Sequence, residues 1–190
     1  MAGLAEGGGS GHGWRKEQEA GTGKPAFYLR AAGGRQRSGA SFTIPTIMFN
    51  PSREEVRRFF CEAWQKRVAG NVLTPLEVMA VDWIDEHPEY QPLLTDTEGA
   101  LTRDYTPEGG QTNPFLHLAM HLSISEQVSI DQPPGIRTAY EALSRRLDSP
   151  HEAQHQIMEC LGEMLWNAQR TGMPPDGQAY VDNIRRRAAG

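Results

Sequence analysis

The sequence predicts an all-α protein: a helical bundle with a four-helix core, additional short helices and a disordered N-terminal tail. Three observations predict it. Apolar residues recur at three- and four-residue spacing from Ser52 onward. Helix-start signals stand ahead of four periodic stretches: Ser52 with Glu55, Thr74 with Glu77, Asn113 with Pro114, and Ser149 with Pro150 and Glu152. No segment shows the sustained period-two alternation of a strand.

The tail is defined by composition. Residues 1–47 hold 11 of the 20 glycines, including the run Gly7-Gly8-Gly9-Ser10-Gly11. Glycine loses the most backbone entropy on ordering, so this stretch is expected to stay disordered. Gly21-Thr22-Gly23-Lys24 is not a phosphate loop, because Gln18 and Pro25 stand where a glycine and a Ser/Thr are needed. Ordinary protein-like sequence begins at Met48. That boundary leads us to expect Met48 as the natural start and residues 1–47 as an over-extended reading frame, with residues 48–190 forming one all-α domain.

Each helix carries its own signals. The first is expected over about Ser52 to Ala69, with Val56, Phe59, Phe60, Ala63 and Trp64 as its apolar stripe and Gly70 as its stop. The second should run from about Pro75 to His87, with Leu76, Met79, Ala80, Trp83 and Ile84 on one face and His87 at its end on that face. Residues 88–112, with several prolines and Gly109-Gly110, read as a long loop. The third begins at Asn113-Pro114 and is apolar nearly all round, so it is expected to be central. A stiff turn, Asp131-Gln132-Pro133-Pro134-Gly135, leads into a fourth helix ending near Leu147. The fifth spans about Ser149 to Gly172, with a Ser149–Glu152 capping box and a core stripe of Ile157, Met158, Leu161, Met164, Leu165 and Ala168. A short amphipathic helix closes the chain. Trp64, Trp83 and Trp166 fall at core positions and need no functional account.

Totals exclude some functions. The net charge is −5, and the tail carries six Lys/Arg against three Asp/Glu, which leaves −8 on the rest. An acidic body argues against nucleic-acid or anionic-membrane binding. No run approaches the ~18 apolar residues of a membrane span. Cys61 and Cys160 lie far apart and outside any CxxC, which rules out a Cys-rich zinc site and suits free buried thiols in a reducing cytoplasm.

Chemistry concentrates in two pairs, His117/His121 and His151/His155, each at i, i+4 spacing. That spacing places both imidazoles of a pair on one helix face. Convergence of the two helices would build a transition-metal site from His117, His121, His151 and His155, with Glu159, one turn after His155, as a carboxylate ligand. Glu77 or His87 could add one donor, but not both, because ten residues of helix separate them by roughly 15 Å. The expected metals are zinc, iron or manganese. Glu126 points away from the His117/His121 stripe. His151-Glu152-Ala153-Gln154-His155 also matches HExxH, in which the glutamate activates metal-bound water in zinc peptidases. Peptidase activity is disfavoured, because Glu152 is expected in a cap and no third ligand stands at a metzincin spacing. Asp131, Gln132 and Arg137 read as turn-stabilising rather than ligand-binding.

The segments Asn113-Pro114-Phe115-Leu116-His117 through His121, Ser129 through Arg137, and His151 through Trp166 resemble the domain-of-unknown-function family numbered 1841. The resemblance covers residues 48–187 and excludes the tail. It implies a small cytoplasmic bacterial protein and no particular activity. The functional expectation is a metal-binding helical bundle; if it is an enzyme, it is a metal-dependent hydrolase or oxidoreductase. The alternative is a non-catalytic interaction protein, a homodimer or adaptor, whose histidines pack.

Overall fold

The computed structural model describes residues 52–105 and 112–190. The expected disordered tail and the Met48 start lie outside the described residues. Among those residues there are eight α-helices and no strand: α1 Arg53–Val68, α2 Pro75–Glu86, α3 Gln91–Thr95, α4 Thr97–Thr102, α5 Pro114–Ile130, α6 Ile136–Leu147, α7 Pro150–Thr171 and α8 Gly177–Ala189.

The capping signals act as the sequence implies. Ser52 and Thr74 each accept from the backbone of the glutamate three residues on, and each glutamate reaches back to its cap. The Asn113 side chain accepts from the Phe115 and Leu116 amides, with Pro114 filling the first helical position. At the start of α7 the box is only half made. Ser149 Oγ accepts from the Glu152 amide, but the Glu152 carboxylate lies 3.9 Å from His155 Nδ1 instead of returning to the cap.

The 88–112 stretch is not the plain loop its prolines suggest. A 3-10 turn over Pro88–Tyr90 leads into α3, and Asp96 caps α4 by accepting from the Gly99 amide. Tertiary contacts stabilise these short helices. The buried Arg57 guanidinium donates to the carbonyls of Ala100, Leu101 and Arg103 at 2.8, 3.0 and 2.8 Å. It also lies 5.4 Å from the centres of the Tyr105 and Phe115 rings. One cation thus satisfies the orphan carbonyls at the end of α4 and ties α4 to α1.

The interior has two apolar clusters that meet along α5. One gathers Phe60, Cys61, Ile84, Leu94, Phe115, Leu118 and Leu122 from α1 to α5. The other gathers Ile124, Ile136, Leu143, Ile157, Leu161 and Ile184 from α5 to α8. Each buried leucine or isoleucine contributes about 2 kcal/mol by leaving water. Because α5 serves both clusters, it is apolar nearly all round, and a polar side chain in its middle must be buried. Cys61 and Cys160 are buried free thiols.

The turn after α5 is structural. Asp131 accepts from the Gly135 and Arg137 amides, and Arg137 donates to the Val128 and Ser129 carbonyls that end α5. Gly135 has φ 90°, a conformation that side-chain-bearing residues rarely adopt. Trp166 corrects an expectation. It is 42% exposed, with the Arg170 guanidinium 4.8 Å from its ring, because this face of α7 looks outward. No described helix is long and apolar enough to cross a membrane.

Candidate metal centre

The first turns of α7 face the middle of α5, and the end of α2 closes the space between them. Into this space project His87 from the end of α2, His117 and His121 from α5, and His151 and His155 from α7. Five of the six histidines of the chain meet here.

His87 is the hub. Its Nε2 lies 2.9 Å from His121 Nε2, 3.1 Å from His151 Nε2 and 3.2 Å from His117 Nε2. His155 completes the group, its ring centroid 5.1 Å from that of His121 and 5.2 Å from that of His117. One ligating atom each from His87, His117, His121 and His155 can be chosen so that all lie within 4.8 Å of one another. His151 touches His87 but stands outside that mutually close set of four.

Two of the outward nitrogens are held by acceptors at hydrogen-bond distance. His121 Nδ1 donates to Gln154 Oε1 at 2.9 Å, and the Gln154 amide nitrogen donates onward to Ser125 Oγ at 3.1 Å. Trp83 Nε1 donates to the same hydroxyl at 2.8 Å, and the Trp83 ring stacks on His121 at 4.0 Å with an 11° tilt. His87 Nδ1 donates to the Glu89 carboxylate at 3.0 Å, and Tyr90 stacks on its ring at 5.2 Å. His151 Nδ1 and His155 Nδ1 lie 3.7 Å from Glu86 and 3.9 Å from Glu152, a looser arrangement at the surface. A proton on Nδ1 leaves the Nε2 lone pair bare and aimed inward, as a metal-ligating histidine requires.

Burial disfavours the charged form of the two α5 and the two α7 imidazoles. It pushes His121 down to about 2, and His117 and His155 down to about 4, with the neighbouring imidazoles adding to the effect. His151 is lowered for the same first reason. An uncharged imidazole is the form that binds a metal.

Of the residues expected to form the site, His117, His121, His151 and His155 are brought together and Glu159 is not. Glu159 accepts from Arg187 of α8 at 2.5 Å, one turn further along the same side of α7. Along the α7 face that starts with His151 and His155, α8 meets the next part through Arg187, which reaches Glu159 and Glu163. Of the alternative pair from α2, His87 joins and Glu77 is committed to its cap and to Lys66 at 2.5 Å. Gln154, Trp83, Ser125 and Glu89 were not legible as site residues. The one signal was positional: Trp83 and His87 are four apart on the face of α2 that meets α5. A groove of 290 Å³, lined in part by Met79, Asp82, Trp83, Ser125 and Gln154, abuts the back of this bracket.

A family model described as Domain of unknown function (DUF1841) matches residues 52–186. No curated protein and no solved structure matches the chain.

Proposed function

The chain belongs to the domain-of-unknown-function family 1841, a name that brings no activity with it, and we propose from the geometry that it binds one divalent transition-metal ion at the imidazole cluster. A single observation carries this reading. A ring nitrogen has one in-plane lone pair or one proton, so it makes one good hydrogen bond in either tautomer. His87 Nε2 has three other Nε2 atoms within 3.2 Å. At most one of these contacts can be a hydrogen bond, and the others set lone pair against lone pair or proton against proton. A cation at the focus turns all of them into ligand–ligand contacts.

The spacing also bears on which metal. Nitrogens about 2.1 Å from one ion stand about 3.4 Å apart in a tetrahedron and about 3.0 Å apart at right angles. Within the ligand set, His87 Nε2 stands 2.9 and 3.2 Å from the Nε2 atoms of His121 and His117, on average closer to the right-angle spacing than to the tetrahedral one, which suits five or six ligands better than a closed tetrahedral zinc site. Iron and manganese accept such geometry readily; zinc fits less well. The permanent ligands are His87, His117, His121 and His155. The bound ion would serve as a Lewis acid toward water or as the partner of a small oxidant.

The test is metal analysis of protein purified without a polyhistidine tag, followed by reloading with Fe(II), Mn(II) or Zn(II). The expected result is one ion per chain, lost in His121→Ala and held more weakly in His155→Ala. A chain that takes up none of these ions, and shows no thermal shift with them, is instead an interaction protein whose histidines only pack.

A further inference from the structure

The five imidazoles form a gradient from a fixed interior to a loose mouth. His121 is fully buried, stacked under Trp83 and bonded to Gln154. The His87 side chain is 6% exposed and bonded to Glu89. The His155 side chain is 18% exposed, and that of His151 is 30% exposed. His151 is also the one ring outside the mutually close set of four, and its outward nitrogen has only Glu86, 3.7 Å away and itself more than half exposed. It sits in the first turn of α7, next to Pro150.

Four permanent imidazoles leave a position to fill on an ion that takes five or six ligands. His151 Nε2, 3.1 Å from His87 Nε2, is placed to fill it from the solvent side. Resting on the proposed metal centre, we infer that His151 is its exchangeable ligand and yields its position to a small uncharged molecule of the size of dioxygen.

The class of that molecule is set by charge. The ligands are all neutral, and three carboxylates surround them: Glu89 behind His87, Glu86 beside His151 and Glu152 beside His155. All three are more than half exposed. Together they exceed the charge of a divalent ion by one. Their field draws metal cations toward the mouth and repels small anions. A neutral diatomic molecule meets neither barrier, and it needs only the space His151 vacates.

The experiment loads the full chain with Fe(II) under anaerobic conditions and titrates it with nitric oxide, a neutral diatomic probe that gives a distinctive paramagnetic resonance signal on ferrous iron. Azide serves as the anionic comparison. Wild type should form one nitrosyl per iron and show no spectral change with azide. His151→Ala and His151→Gln should keep one iron per chain and bind nitric oxide about tenfold more tightly, because a competing internal ligand reduces apparent affinity by the fraction of time it occupies the site. Failure of the loaded wild type and both variants to form a nitrosyl overturns the inference, as does loss of iron in both His151 variants. Azide binding as tight as that of nitric oxide overturns the choice of a neutral ligand. Wild type that holds zinc but refuses Fe(II) leaves the metal reading standing and overturns this one. A chain that binds no metal overturns both.

Discussion

His117 and His121 project from the middle of α5, a helix that serves two apolar clusters, whereas His151 and His155 occupy the first turns of α7 at the protein surface. Both pairs have the same spacing, and their surroundings differ at every level. The α5 side is backed by a stacked tryptophan, a buried glutamine and a shared serine hydroxyl. The α7 side is backed by exposed carboxylates beyond hydrogen-bond distance. Identical spacing therefore gives one pair on a firmly packed helix and one pair with looser backing. The helix around a histidine, more than its sequence spacing, decides how rigidly it is held.

Five changes would break or sharpen this contrast. The largest effect is expected from removing the ion. Ligand present at 100 times its dissociation constant stabilises by about 2.7 kcal/mol, or about 10 °C in a domain of this size. A chelator should lower the calorimetric melting temperature by that order, and an unchanged melting curve would remove the centre from any role in folding. Next is the buttress behind His121. Gln154→Leu removes its hydrogen bond and frees the ring to turn, and an affinity loss of roughly 10- to 100-fold is expected. Glu152→Gln, which touches only the loose side, should lose far less; equal losses in competitive titrations would erase the distinction between the halves.

Acid should act on the metal-free protein in a defined direction. An unfolded histidine titrates near 6.5. Burial lowers His117 and His155 to about 4 and His121 to about 2 in the folded state. Between those values the unfolded chain binds more protons, so folding stability rises with pH. The contribution is fully present above about 6.5 and is lost as pH falls toward the folded values. Melting temperature should therefore drop from pH 7 to pH 5, and more steeply in wild type than in His121→Ala. A flat profile in wild type would show that the cluster is not buried in solution. The smallest effect is expected at Glu159→Ala. Its exposed pair with Arg187 is worth at most about 1 kcal/mol, and metal content should not change. Loss of metal in that variant would return Glu159 to the ligand set.

Much of the fold could be read from local signals, because caps, prolines and apolar spacing act within a few residues of themselves. Ser52 with Glu55, Thr74 with Glu77 and Asn113 with Pro114 start α1, α2 and α5 where the sequence places them. The stretch from Pro88 to Thr102 reads as loop because α4 depends on Arg57, which lies more than 40 residues from the carbonyls it binds. The site was legible to the same depth. Helical spacing pairs His117 with His121 and His151 with His155. It cannot say which helix closes the space between them. Glu159 looked equivalent to His155 because it lies one turn further along α7. Over that turn the neighbour of α7 is α8, which offers Arg187 to the carboxylate.

The sequence alone determines that the protein is helical, where most of its longer helices begin, and that two pairs of imidazoles each share a face. These are consequences of backbone geometry and of side chains acting on their neighbours. Tertiary packing decided that the end of α2 delivers His87 to the focus. It decided that Trp83 and Gln154 immobilise His121, and that Glu159 is drawn away. Those outcomes depend on crossing positions between helices distant in the chain, which no local spacing encodes.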